Sequence, residues 1–296
     1  MDLKDIRAVE QLQVDAFTPR AFGGNQAAVI FEHRGVEWMQ NVAMENNFAE
    51  TSFVAAIPDK EGCFSLRWYV FTPTVEVELC GHATLAAAHA LYETKHVAPT
   101  QAITFQTIHS GELQARMLAD GTIELNFPVT EVTPVQLSPD LKASLLLALD
   151  MKEEDVLSTG KSIYDLVVEV RREAFARLAS TAIDFGKIAE QGGRAVLVTC
   201  VGGARGGLYD FLSRAFVPRY TMRETDYPVT GSAHCALAPY WTDKFSTTEQ
   251  QQHGELLQLT GYQASGRGGE VRVAVEGDRV RLGGHCVTTA RAKVLV

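Results

Sequence analysis

Two stretches of this chain share one plan, and that sharing limits the fold more than any other feature of the sequence. "FTPTVEVELCGHATLAAAHALY" covers residues 71–92 and "FVPRYTMRETDYPVTGSAHCALAPYW" covers 216–241. Each runs from Phe-x-Pro through an extended segment to a glycine, Gly81 or Gly231, that opens a helix of small side chains. Two further features recur in the same order. One is a Gly-Gly pair before a strand: Gly23-Gly24 before Ala27 to Phe31, and Gly192-Gly193 before Ala195 to Val201. The other is a closing hairpin, "GELQARMLADGTIEL" and then "GEVRVAVEGDRVRL". Repetition of type and order predicts two similar α+β domains facing each other about a pseudo-two-fold axis, spanning 1–128 and 129–288. Each is expected to be a β-sheet rolled around a central helix, because small side chains let strands approach a helix closely. Glycine at a helix entrance leaves backbone N–H groups open to an anion. Two such entrances suit a small carboxylate ligand.

The remaining pattern is consistent with that plan. Leu12, Val14 and Ala16 alternate with Gln11, Gln13 and Asp15, a half-buried strand. Gly23-Gly24-Asn25 reads as a turn. Trp38, Met39, Val42 and Ala43 give Val36 to Asn46 an apolar helical face. Strands are predicted at Thr51 to Ile57, Phe64 to Phe71, Ile103 to Gln106, Ile163 to Val170 and Ala195 to Val201. A hairpin over Gly111 to Phe127 turns at Asp120-Gly121. Ser138 with Pro139 signals a helix start before Leu141 to Leu149. Further helices fit Arg172 to Leu178 and Ile183 to Gln191. The run from Gly202 to Gly207 fits neither GxGxxG nor a P-loop, and it leads into the strand-like "LYDFLSRAF", so it reads as a hairpin turn.

Composition excludes several functions. The net charge is −9 and Lys and Arg form no block, which argues against nucleic acid and anionic membranes as partners. No run of 18 apolar residues exists to span a bilayer and the first residues carry no signal-peptide core, so a cytoplasmic location is expected. The five cysteines, Cys63, Cys80, Cys200, Cys235 and Cys286, are odd in number and widely spaced. They suggest neither a disulfide framework nor a zinc ribbon, and His82, His89, His234 and His285 do not follow a metal spacing.

Three residues could carry chemistry. Glu50, in "NNFAETSFV", is either a solvated loop carboxylate or a general acid/base in a partly apolar cleft. His82 either caps and packs its helix or hydrogen-bonds a substrate or Glu50. Cys80 is either a small buried hydrophobe or a catalytic thiol. The thiol role calls for a partner thiol in the second half, where the matching position holds Val229 or Thr230, and Cys235 lies well inside the helix.

"VDAFTPRAFGGNQAAV", "NNFAETSFV", "FTPTVEVELCGHATLAAA" and "PVTGSAHCALAPYW" together resemble the phenazine-biosynthesis PhzF-like family, within the diaminopimelate-epimerase-like fold. The resemblance runs from Val14 to the C-terminal hairpin. It implies an active site between two domains, a last strand at about 289–296 that returns to the first domain, and a homodimer. It also implies an isomerase that moves a proton between ring carbons of a small cyclic carboxylic acid without a cofactor or metal. By position, the family's catalytic glutamate is Glu50 and its histidine is His82. Its substrate-binding positions fall at Gly81, Gly231 and Ser232, with Asn25 and Tyr227 beside them. The family's pattern places aspartate directly before "PVTGSA". Tyr227 stands there and Asp226 lies one residue earlier, so either the loop shifts to bring Asp226 into the aspartate's catalytic role, or tyrosine replaces it, or that role is lost. Gln26 and Ala49 replace the usual proline and serine. Two rival functions stay open: a non-catalytic small-molecule binder on the same fold, motivated by Tyr227, and a thiol-dependent epimerase.

Overall fold

The structure, a computed structural model, describes residues 7–70, 80–203, 207–218, 226–246 and 256–295. The Phe71-x-Pro73 motif, positions 204–206 of the glycine run and Thr225 lie outside the described residues. The chain divides into two compact units, 1–127 with 283–296, and 128–282.

The first unit opens with β1 (Ala8–Ala16) and β2 (Asn25–Ile30), an antiparallel pair. Helix α1 (Val36–Asn46) crosses to β3 (Glu50–Ala56), which runs parallel to β2 and antiparallel to β4 (Cys63–Val70). Helix α2 (Gly81–Glu93) then leads to β5 (Ile103–Gln106), parallel to β4, and the antiparallel strands β6 (Glu112–Met117) and β7 (Ile123–Pro128) follow. Every residue of α2 from Gly81 to Ala88 is buried, as are Ala90, Leu91 and Tyr92. A helix buried on all sides cannot be amphipathic, and alanine is what lets strands close on it. The opposite face of the sheet carries α1, whose Met39, Val42 and Ala43 pack with Val9, Ile30, Phe53 and Tyr69.

The second unit repeats this order of connections. After β8 (Thr133–Pro134), α3 (Pro139–Leu149) and a single 3₁₀ turn at Glu153–Asp155, β9 (Val156–Lys161) pairs antiparallel with β10 (Asp165–Val170). Helices α4 (Arg172–Arg177) and α5 (Phe185–Glu190) cross to β11 (Ala195–Val201), parallel to β10, and β11 is antiparallel to β12 (Phe211–Phe216). Short β13 (Asp226–Tyr227) precedes α6 (Gly231–Phe245), which crosses to β14 (Gln258–Gln263), parallel to β12. Then come β15 (Glu270–Glu276), antiparallel to β14, and β16 (Arg279–Gly284). The sequence of pairings around α6 is therefore that around α2. Last in the chain, β17 (Cys286–Leu295) pairs along the whole of β1 in the first unit.

Local chemistry explains most boundaries. Ser138 Oγ accepts from the N–H of Leu141, with Pro139 at the first helical position of α3. Strand β10 starts at Asp165 rather than Ile163 because Ser162 Oγ accepts from the N–H groups of Tyr164 and Asp165, which holds the chain in a turn. Pro239 lies inside α6 and withholds the hydrogen bond that Cys235 O would accept; that oxygen takes the N–H of Thr130 instead. Strands β9 and β14 were not legible in the sequence: each contains glycine and alternates weakly.

In both Gly-Gly pairs the second glycine has positive φ, 57° at Gly24 and 73° at Gly193. A β-carbon would stand 1.9 Å from Ala16 O at the first and 2.8 Å from Tyr164 O at the second. Both carbonyls belong to the segment the turn folds back on, so glycine is required by conformation and by space. Gly24→Ala is expected to lower unfolding free energy by at least about 2 kcal/mol, from the left-handed backbone and the clash together. Urea denaturation measures it, and an unchanged midpoint would refute this account of the turn.

Candidate active site

Strand geometry aims Glu50. Alternate side chains of β3 point to opposite faces. Phe53 joins the α1 side, while Ser52 Oγ donates to Ala83 O in the first turn of α2. Glu50 has the parity of Ser52, so it points toward the start of α2. There it meets His82, the second residue of that helix. Glu50 Oε2 and His82 Nε2 are 2.8 Å apart, and both side chains are buried. The separation is that of an ion pair, but the ring N–H direction lies off the line to the oxygen, so the contact is not an aligned hydrogen bond.

Cys80 is the N-cap of α2. Its side chain does not cap the helix; Sγ instead lies 3.5 Å from His82 Nδ1. The imidazole therefore has a thiol near one nitrogen and a carboxylate near the other. Asn25 opens β2, two residues before Ala27, which pairs with Glu50, so it lies at the same end of the sheet and is fully buried. Gly81, His82, Glu50 and Asn25 are thus gathered at one end of the first unit.

Gly231, Ser232, Asp226 and Tyr227 form a second group within the second unit, around the start of α6. Thr230, its N-cap, turns its hydroxyl back to Pro228 O and does not cap the helix. Gln263, buried on β14, fastens the approach: its amide donates to Tyr227 O and Pro228 O, and its oxygen accepts from Thr230 N–H. Ser232 Oγ accepts from Arg194 Nη1 at 2.7 Å. Arg194 also grips Asp165 through both carboxylate oxygens, at 3.0 and 2.5 Å, and stacks on Tyr164. With its lone pair taken by a cation, the Ser232 hydroxyl has its proton free to donate.

Where β3 opens on Glu50, β11 opens on Ala195, and where α2 carries His82, α6 carries Ser232. The acid and the imidazole belong to one half of the duplication. His234, one turn into α6, is fully buried and its Nδ1–H donates to Thr230 O; burial pushes its pKa down to about 4, which keeps it neutral and structural.

Asp226 is engaged by Arg214 of the neighbouring strand, with Oδ2 3.1 Å from both Nε and Nη2. Burial raises its pKa to about 6 against the opposing pull of the guanidinium. Between the ordinary carboxylate value and about 6 the folded chain holds a proton that the unfolded chain has released. Stability from this group is therefore full at acid pH and lost as pH rises through that window. Asp226→Asn is expected to flatten the fall, so that wild type loses about 2 kcal/mol relative to the variant between pH 4 and pH 6.5. Urea unfolding at several pH values reads this, and parallel profiles would refute it.

Sequence reasoning did not find Arg194, Asp165 or Gln263 for this region. The signals were a charged residue directly after Gly192-Gly193, and a glutamine on the buried face of a strand.

Comparison with known proteins places the chain in a family. Residues 14–292 match the family model described as phenazine biosynthesis-like protein. The chain belongs to this family. An uncharacterized isomerase of Halalkalibacterium halodurans is 40% identical over 96% of this chain and 97% of its own. A PhzF-family crystal structure from Enterococcus faecalis superposes with a TM-score of 0.82, at 30% identity, covering 98% of this chain and 100% of that one. A hydroxyproline epimerase from Agrobacterium vitis, 12% identical with a TM-score of 0.58 over 100% of this chain and 94% of its own, shares the fold alone. This phenazine biosynthesis-like protein therefore has the α+β fold of the epimerase-like group and is an isomerase. Among the described residues no helix is long and apolar enough to cross a membrane.

Proposed function

We propose that the protein moves a proton from one carbon to another in a small cyclic carboxylic acid, using its own side chains without an organic cofactor. The observation that carries this reading is the buried Glu50–His82 contact at the entrance of α2. In the forward step a substrate C–H bond breaks, its electron pair stays on the substrate, and the proton goes to a Glu50 carboxylate oxygen. Glu50 then returns the proton to a different carbon. His82 orients the carboxylate. The first N–H groups of α2, left open by Cys80, hold the substrate's own carboxylate. Gly231 and Ser232 at the start of α6 are a second anion-binding element, and Arg194 is what holds the Ser232 hydroxyl in place. Asp226, tied to Arg214, acts on proton transfer only when that pair opens.

The test is hydrogen exchange. Anthranilate-like and related cyclic acids are incubated with the protein in heavy water and followed by proton NMR. Deuterium entering a ring position supports the reading, whereas tight binding of such an acid with no exchange by the wild-type chain favours the non-catalytic binder.

A thiol-dependent epimerase is favoured by one observation, the 3.5 Å approach of Cys80 Sγ to His82 Nδ1. The second unit supplies no matching thiol, because Val229 and Thr230 precede Gly231, and Cys235 is buried inside α6. Deuterium exchange that persists in Cys80→Ala, whose thiol is buried beyond the reach of an alkylating reagent, removes this alternative.

A further inference from the structure

Glu50, Cys80 and His82 place three chemically different donors together: a carboxylate oxygen, a sulfur and a ring nitrogen. One ligand atom from each lies within 4.8 Å of the others, and all three residues are buried. We propose that these residues form a three-ligand site for a thiophilic divalent cation, zinc above all, whose occupancy blocks the reaction described above.

Geometry favours zinc. Bonds of about 2.0–2.3 Å in a tetrahedral site put neighbouring ligand atoms roughly 3.3–3.8 Å apart. The 3.5 Å between Cys80 Sγ and His82 Nδ1 already meets that spacing. The widest separation in the set has to close by only about 1 Å, within reach of side-chain rotation. His82 is 3% exposed and stands against both other donors, with Nδ1 3.5 Å from Cys80 Sγ and Nε2 2.8 Å from Glu50 Oε2; one of its two nitrogens would bind the ion.

Donor chemistry selects the ion. A thiolate beside an imidazole suits zinc or cobalt and disfavours magnesium and calcium, which take oxygen. Binding releases the Cys80 thiol proton to solvent, and no oxidant or reductant takes part. Three protein ligands leave a fourth position for water. The equivalent positions of the second unit, Ala195, Thr230 and Ser232, offer no sulfur and no imidazole, so the site is particular to the first unit. A bound cation occupies the lone pairs of Glu50 and His82 that the proposed reaction uses. That clause rests on the proposed function; metal binding itself does not.

The full chain, freed of metal with a chelator, is titrated with cobalt(II). The expected result is one cobalt per chain, an intense near-ultraviolet thiolate-to-cobalt band, visible bands of a tetrahedral ion, and bleaching of all of them by zinc. Cys80→Ser should abolish the near-ultraviolet band and weaken cobalt binding by at least about tenfold, while Cys63→Ser keeps both. His82→Gln, read in parallel, should weaken binding while keeping the thiolate band, which maintains the test should Cys80→Ser fold poorly. Absence of cobalt binding, or a thiolate band that survives Cys80→Ser, overturns the site. Micromolar zinc should also stop deuterium exchange, with recovery on chelation. Exchange that continues with zinc demonstrably bound overturns the inhibitory role. A chain that binds cobalt but exchanges no proton with any acid overturns the proposed reaction and leaves the metal site standing.

Discussion

Glu50→Gln should eliminate deuterium incorporation into whichever cyclic acid the wild-type chain turns over, with a loss of at least about 10³-fold in rate. Glutamine keeps the shape of the side chain and can still face His82 across the 2.8 Å contact. It cannot accept a proton from carbon and give it back. Because the substrate's carboxylate is assigned to the N–H groups at the entrance of α2, binding should change little. The loss should therefore fall on the maximal rate and not on the substrate concentration needed to reach half of it. Glu50→Asp adds a graded control. It keeps the carboxyl group but withdraws it by one methylene, so it should retain more exchange than the glutamine variant and less than wild type. Exchange that survives Glu50→Gln would show that another group carries the proton, and Cys80, 3.5 Å from His82 Nδ1, would be the first to examine.

How much of this was legible beforehand differs from residue to residue. The duplication was readable because it is written in glycines and small side chains, whose reasons are geometric and local. α2 and α6 are buried at almost every position of their first halves, whereas the Gly-Gly pairs are not equivalent in the repeat: Gly24 turns the chain between β1 and β2, and Gly193 turns it between α5 and β11. The direction of Glu50 followed from the two-residue period of a strand and needed only the start of β3 to be known. What the sequence concealed are polar groups whose partners are remote. Gln263 lies 33 residues from Thr230, and its role exists only once β14 lies beside the approach to α6. Arg214 reads as an exposed member of an alternating strand until β13 brings Asp226 against it. The metal set was hidden for a related reason. Spacing rules search for paired histidines or cysteines, whereas here one donor comes from β3 and two come from the start of α2.

Arg194→Met should destabilise the fold by about 3 kcal/mol. Asp165 is the reason: its side chain is 1% exposed, and Arg194 meets both of its oxygens. Removing the guanidinium leaves a buried carboxylate without its counter-charge, and that penalty exceeds what the pair itself contributes to stability, since the arginine is 23% exposed and part of its attraction is screened by water. If the unpaired charge is the cause, Asp165→Asn in the same chain should restore much of the loss, and urea denaturation of the two single variants and the double variant measures the coupling. Equal losses in Arg194→Met and the double variant would show instead that the packing of the arginine on Tyr164 is what matters. A second readout separates structure from function. Arg194 Nη1 holds Ser232 Oγ at the start of α6. In the double variant, refolded to near wild-type stability, the serine is still released, and a substrate carboxylate that depends on it should bind at least about tenfold more weakly. Restored stability with unchanged binding would remove Ser232 from the anion-binding group.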